Sequence, residues 1–139
     1  MQIDTTTEFG ARVERRLRED TVAWLVTAGA DGTPEPSPIW FLWDGQTILI
    51  YSRPKVPKVG NIRERPTVAF HFDSDGDGGD VVVLTGKAEV LTRAPGVAEN
   101  EAYVTKYAEL IKGIGYTPET MGAAFSTPIR FTPARLRGH

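Results

Sequence analysis

A chain of 139 residues with a net charge of −2 is long enough for one domain with its own core, and it lacks the basic excess of a general nucleic-acid binder. It contains no cysteine, which excludes disulfides, zinc–thiolate sites, iron–sulfur clusters and a cysteine nucleophile. No apolar run reaches membrane-span length, and Met1–Thr5 shows no basic-then-apolar leader, so the expectation is a soluble cytoplasmic protein. The prolines and glycines are numerous enough to imply many turns between short strands.

Thr5-Thr6-Thr7-Glu8 reads as a capping box with Thr5 as N-cap. Phe9, Val13 and Leu17 then form one apolar stripe, so a helix covering one side of a sheet is expected. Its arginines, Arg12, Arg15 and Arg16, are expected to be solvated, with Glu14 and Glu19 nearby. Thr21 to Thr27 reads as a strand apolar on both faces, Val22, Trp24 and Val26 on one, and Ala23 and Leu25 on the other. Asp31-Gly32 marks a hairpin turn.

In the next strand Pro34, Pro36 and Pro38 alternate, so one edge lacks hydrogen-bond donors while Glu35, Ser37 and Ile39 donate on the other. Such an edge either blocks unwanted strand pairing or receives a flat heterocycle beside Ser37-Pro38-Ile39-Trp40; taken alone, the prolines favour the first reading. Phe41, Leu42 and Trp43 lead to a second hairpin signal, Asp44-Gly45.

The stretch from Ile48 to Arg63 organises the chain. It starts as an apolar strand through Tyr51 and Ser52 and becomes a short helix with Pro57 at its first position. Val59 and Ile62 share one helical face, and Arg65-Pro66 ends the turn. Ser52, Arg53, Lys55, Lys58 and Asn61 gather at this junction, where a helix start offers free N–H groups. The two readings are an anion pocket, most simply for a phosphate, and a solvated basic turn.

Thr67 to Phe72 alternates as a strand, with His71 opposite Val68, Phe70 and Phe72. Asp73 to Asp80 matches the start of an EF-hand loop, but Leu84 stands where the twelfth-position glutamate is needed, so it reads as a flexible hairpin loop. Val81 to Thr92 is a long strand in which Gly86 permits a bend or a close backbone approach. Pro95 to Lys112 reads as a helix with a Val97, Val104, Ala108, Ile111 stripe, flanked by Tyr103, Tyr107 and Leu110 and stopped by Gly113. Thr117-Pro118 starts a short helix through Ala124. A last strand carries Ile129 and Phe131 and is confined by Pro133 to an edge or end position. No nucleophile elbow, paired-histidine metal site or dinucleotide glycine motif is present, so any enzyme activity would depend on a bound cofactor, and no catalytic or metal-ligating residue is assigned.

Several runs, in their order and spacing, carry a resemblance over nearly the whole chain. They are Trp24-Leu25-Val26-Thr27, Asp31-Gly32-Thr33-Pro34, Ser37-Pro38-Ile39-Trp40-Phe41, Tyr51-Ser52, Lys58-Val59-Gly60-Asn61-Ile62 with Pro66, and Thr85-Gly86-Lys87-Ala88. The sequence resembles the flavin-reductase-like split β-barrels related to pyridoxamine 5′-phosphate oxidase, and within them the short actinobacterial members that use coenzyme F420, a deazaflavin hydride carrier. The resemblance implies a β-rich (α+β) fold: a six-stranded antiparallel split β-barrel with peripheral helices, spanning residues 1–139 as one domain. It also implies a homodimer with two cofactor sites at the interface.

Carried across by position, Ser52, Arg53, Lys55, Lys58 and Asn61 would surround the cofactor phosphate, Ser37, Pro38, Ile39 and Trp40 would line the tricyclic ring, and Tyr51 would also belong to the cofactor site. Arginines near the N-terminus would meet a polyglutamate tail, and Gly60 stands where many relatives carry a basic residue. The implied activity is F420-dependent hydride transfer to a small conjugated or quinone-like substrate. The alternatives are an FMN-dependent oxidoreductase on the same fold, a cofactor-binding protein without turnover, and a plain interaction module.

Overall fold

The computed structural model describes residues 1–139. Helix α1 (Glu8–Glu19) precedes β1 (Ala23–Ala28), β2 (Pro34–Ile39), β3 (Leu42–Trp43) and β4 (Ile48–Ser52). Helix α2 (Pro57–Glu64) leads into β5 (Thr67–His71) and β6 (Val82–Val90). A 3-10 turn (Val97–Glu99), α3 (Glu101–Gly113) and α4 (Pro118–Ala124) then form a helical hairpin before β7 (Thr127–Gly138). All strand pairs are antiparallel, and the sheet order is β2-β1-β5-β6-β7-β4-β3. This is the curled sheet of a split barrel. It has seven strands rather than six, because the two residues of β3 pair with β4 at the far edge.

Two apolar cores follow from the curl. One lies inside the sheet, where Val13 and Leu17 of α1 and Val59 and Ile62 of α2 plug the ends around Leu25, Phe70, Leu84 and Phe131. The other lies outside, between β4 and the helical hairpin, and is built from Tyr51, Val97, Tyr103, Tyr107, Ile111 and Met121. The expected α1 stripe is therefore buried, but its N-cap is Thr7 rather than Thr5: the Thr7 hydroxyl accepts from the Gly10 N–H at 3.0 Å. Thr6 instead bonds Asp4. Strand β1 turns Ala23, Leu25 and Thr27 inward and leaves Val22 exposed.

The expected helix from Pro95 is broken at Asn100, which ends the 3-10 turn and caps α3 by accepting from the Tyr103 N–H. The face of α3 also differs from the expected stripe. Tyr103, Tyr107 and Ile111 are buried, whereas Ala108 and Leu110 are exposed. The rings cover more apolar area than Val104 or Ala108, and their hydroxyls find partners, so aromatic burial takes precedence. The helix ends at the expected glycine, Gly113, and a second glycine closes the cap. Gly115 takes φ +85° while its N–H donates to the Lys112 carbonyl and the Tyr116 N–H to the Ile111 carbonyl, a Schellman arrangement.

Pro133 does not sit on an edge. Strand β7 lies between β6 and β4, and Pro133 falls at a bulge opposite Gly86, where the ladder needs no donor. A Cβ on Gly86 would lie 2.1 Å from the Thr132 carbonyl oxygen, so the close approach expected at this glycine is present. Gly86→Ala is expected to lower stability by about 1–3 kcal/mol. Urea unfolding would show this as a lower midpoint at unchanged slope; an unchanged midpoint would mean that the bulge relaxes freely.

Candidate functional site

A mainly apolar cavity of about 400 Å³ lies between the β2–β4 side of the sheet and the helical hairpin. Pro38, Ile39 and Trp40 form one wall, at the end of β2. Tyr51, Ser52 and Arg53 form the next, where β4 runs out, and Lys58 enters from the first turn of α2. Tyr103, Met121 and Phe125 close it from the hairpin, and Val22 and Ile114 stand exposed at its rim.

Seven of the ten residues expected around a cofactor therefore line one cavity: Pro38, Ile39, Trp40, Tyr51, Ser52, Arg53 and Lys58. Ser37 lines a smaller adjoining hollow of about 300 Å³, which shares Lys58 and Val56 with the first. Lys55 is exposed and lines neither. Asn61 is buried in a network of its own. Its amide donates to the Thr27 hydroxyl at 3.0 Å and to the Glu35 carboxylate, and Arg65 donates to its oxygen at 3.3 Å. Asn61 thus ties α2 to β1 and β2 instead of presenting its amide to the cavity.

Strand β2 is an edge strand, paired only with β1. Since prolines cannot donate, the ladder to β1 is carried by Glu35, Ser37 and Ile39, and Pro34, Pro36 and Pro38 turn their nitrogens to the free edge. At its end Trp40 stacks on Tyr107, with ring centroids 4.8 Å apart and planes within 4°. The Phe41 N–H donates to the Tyr107 hydroxyl (2.8 Å), which lies 2.8 Å from the Thr21 carbonyl it donates to, and Lys106 donates to the Phe41 carbonyl (2.8 Å). Helix α3 thereby satisfies the backbone where the chain leaves β2. Tyr51 donates to the Pro95 carbonyl at 2.7 Å and accepts from Asn100, so the cavity floor is fixed from the same side.

The electrostatics are lopsided. The four ion pairs of the molecule all involve arginines of α1: Arg12 and Arg16 with Asp80, Arg16 with Asp20, and Arg18 with Glu14. Arg12, at 23% side-chain exposure, and Arg16, at 16%, are thus engaged rather than solvated as expected. Arg16 also packs over the Phe72 ring at 4.5 Å. By contrast, Arg53, Lys55 and Lys58 have no acidic partner within ion-pair distance. Burial alone pulls the Lys58 amine below its ordinary value. Arg53 is held by neutral groups, donating to the Tyr116 hydroxyl at 3.2 Å and lying 4.7 Å over the Phe125 ring. A half-buried amine and a guanidinium without counter-charge, both lining one largely apolar cavity, suit a ligand with an anionic end and a flat body.

The sequence reading missed the hairpin's share of the site: Tyr103, Met121 and Phe125, with Ile114 and Val22 at the rim. The available signal was the apolar residues of 114–125, too many for a linker between a helix and a last strand.

A family model described as pyridoxamine 5′-phosphate oxidase matches residues 9–139. The chain belongs to the pyridoxamine 5′-phosphate oxidase family. No curated protein matches it. Among solved structures it is similar to a conserved hypothetical protein from Mycobacterium tuberculosis (25% identity, TM-score 0.68, covering 94% of this chain and 82% of that one). It is also similar to an F420 reductase (23%, TM-score 0.66, 89% and 94%). The heme storage protein HutZ from Vibrio cholerae shares the fold at 14% identity (TM-score 0.64, 99% and 95%). Members of this fold thus include a reductase and a heme-storage protein. No helix is long and apolar enough to cross a membrane.

The wall behind Trp40 also sets a pH dependence. Burial lowers Lys106 to about 8, partly offset by Asp20, and lowers Lys58 in the same direction. Between pH 8 and about 10 the unfolded chain therefore holds protons that the folded chain has released, so stability rises with pH. Burial raises Tyr103 and Tyr107, whose contribution is present below pH 10 and is lost above it. Melting temperature is expected to climb from pH 7.5 to 9.5 and fall beyond about 10. Lys106→Met is expected to flatten the climb.

Proposed function

We propose that the cavity binds a phosphorylated redox coenzyme and that the protein is an oxidoreductase dependent on coenzyme F420, acting on a small conjugated or quinone-like substrate. The observation that carries this reading is the pair of unneutralised cations, Arg53 and Lys58, lining an apolar cavity that the end of the proline strand β2 also walls at Pro38. The likeness to an F420 reductase supports the choice of coenzyme. When bound, the deazaflavin ring supplies a two-electron hydride carrier.

The chain's own groups bind and orient. Lys58 and Arg53 hold the anionic end, and charge-assisted donors in a partly dry setting act more strongly there than in water. Trp40, backed by Tyr107, and the Pro38-Ile39 segment offer a flat apolar wall that keeps water from the ring. Trp40 carries the first N–H beyond Pro38 that faces the free edge, and it is the donor for a ring carbonyl. No side chain of the cavity is asked to form a covalent bond. Two copies pair so that the exposed rim residues Val22 and Ile114 are covered, which completes each site at the interface.

One observation favours FMN as a second reading. Arg12 and Arg16 are bound to Asp80 and Asp20, which leaves them unable to meet an acidic tail without breaking those pairs, and FMN ends at its phosphate. Parallel titration of the purified protein with coenzyme F420 and FMN decides between them. Lys58→Ala is expected to weaken the preferred coenzyme by about 1.5–3 kcal/mol, roughly tenfold to a hundredfold in Kd. Unchanged affinity in that variant would reject the site.

A further inference from the structure

We propose that Tyr116 and Phe125 are positioning residues for the Arg53 guanidinium, so that the helical hairpin, and not the sheet, sets how strongly the cavity selects a phosphorylated ligand. This rests on the reading of the cavity as a coenzyme site. Arg53 follows the last residue of β4 and is otherwise exposed, and a free arginine there would sample many rotamers. Two contacts from the hairpin restrict it. The Tyr116 hydroxyl accepts from Nη2 at 3.2 Å, and the Phe125 ring lies 4.7 Å beneath the guanidinium carbon. Ring and hydroxyl are themselves paired, with Tyr116 and Phe125 meeting edge to face at 6.0 Å and 82°.

The hydroxyl takes one donor of the guanidinium fork and the ring fixes its plane, which leaves the remaining N–H groups in one orientation. Neither partner is anionic. A carboxylate in place of Tyr116 would fill the charge that a phosphate needs, whereas a phenol orients it and leaves it intact. The clamp depends on local backbone chemistry: Gly115 at φ +85°, just past the C-cap of α3, places Tyr116, and Phe125 is the C-cap of α4, its N–H donating to the Met121 carbonyl. Preorganising the fork lowers the entropy cost of gripping a phosphate, so the clamp acts on the phosphate and not on the ring system.

The test compares FMN with riboflavin, which differ only by the phosphate, and adds inorganic pyrophosphate as a small probe. Wild type, Tyr116→Phe, Phe125→Leu and Arg53→Lys are titrated by calorimetry. The Arg53 Nε–H resonance is followed by ¹⁵N NMR and assigned by its loss in Arg53→Lys. In wild type this resonance is expected to be shifted upfield by the Phe125 ring and protected from exchange. Tyr116→Phe is expected to weaken FMN roughly threefold to tenfold with riboflavin unchanged, and to have no further effect in the Arg53→Lys background. Phe125→Leu is expected to abolish the upfield shift and narrow the gap between FMN and riboflavin. A wild-type gap preserved in Tyr116→Phe, or an Arg53 resonance that behaves in wild type like that of a free arginine, overturns the proposal. If neither FMN nor coenzyme F420 binds, the coenzyme reading falls, and the Arg53 resonance with its response to pyrophosphate still decides the positioning claim.

Discussion

The hydrogen bond from the Phe41 N–H to the Tyr107 hydroxyl is the joint on which the site depends. Strand β2 ends at Ile39, and the sheet offers Phe41 no partner there. A buried N–H left unpaired costs about 1–3 kcal/mol, so some element must reach in. Tyr107 does so from α3, and the same side chain presents its ring to Trp40. One residue thereby fastens the helical hairpin to the sheet, fixes the aromatic wall and keeps a gap between β4 and the hairpin. That gap is the cavity.

Charge is distributed according to what each side of the fold must do. On α1, Arg12 and Arg16 have acidic partners and bind the 73–80 hairpin loop to the helix; Arg16 also donates to the Asp73 carbonyl, and Trp24 donates to the Asp73 carboxylate at 3.0 Å. Asp80 takes φ +52°, a left-handed conformation that aspartate tolerates, and two arginines hold it there. At the cavity the opposite holds: Lys58 is partly desolvated, and neither it nor Arg53 is neutralised. Satisfied pairs make a fixed scaffold, while an uncompensated pair leaves attraction available to a ligand.

Much of this was legible in the chain. The α1 stripe, Pro57 at the start of α2, Thr117-Pro118 at the start of α4, the donor-free edge of β2 and the close approach at Gly86 rest on local rules of sterics and hydrogen bonding that tertiary contacts did not override. The α3 face was misjudged because tyrosine was weighed as a flanking residue; its burial depends on partners as distant as Phe41 and Thr21, which no local window contains. Asn61 was grouped with the cations by proximity in sequence, but its amide turns to Thr27 and Glu35, strand residues far upstream. Lys58 and Arg53 share a cavity because α2, packed against β1 and β6, starts a short turn after β4 ends. The clamp on Arg53 was invisible for the reason that Tyr116 and Phe125 lie more than sixty positions away.

The bulge between β6 and β7 has its own effect on how the last strand is written. Thr85 faces Arg135 and Gly86 faces Pro133, so Ala134 is counted on one side only. Inward positions on β7 are odd-numbered at Ile129, Phe131 and Pro133, and the parity flips beyond them, with Leu136 opposite Leu84 and the arginines Arg135 and Arg137 outside. The strand is two short phrases of opposite phase joined by one uncounted residue. Were Ala134 to take an ordinary place in the ladder, the two guanidinium groups of Arg135 and Arg137 would turn toward the barrel interior, whereas the turns at Gly45 and Gly76 absorb changes of length without altering any side chain's face.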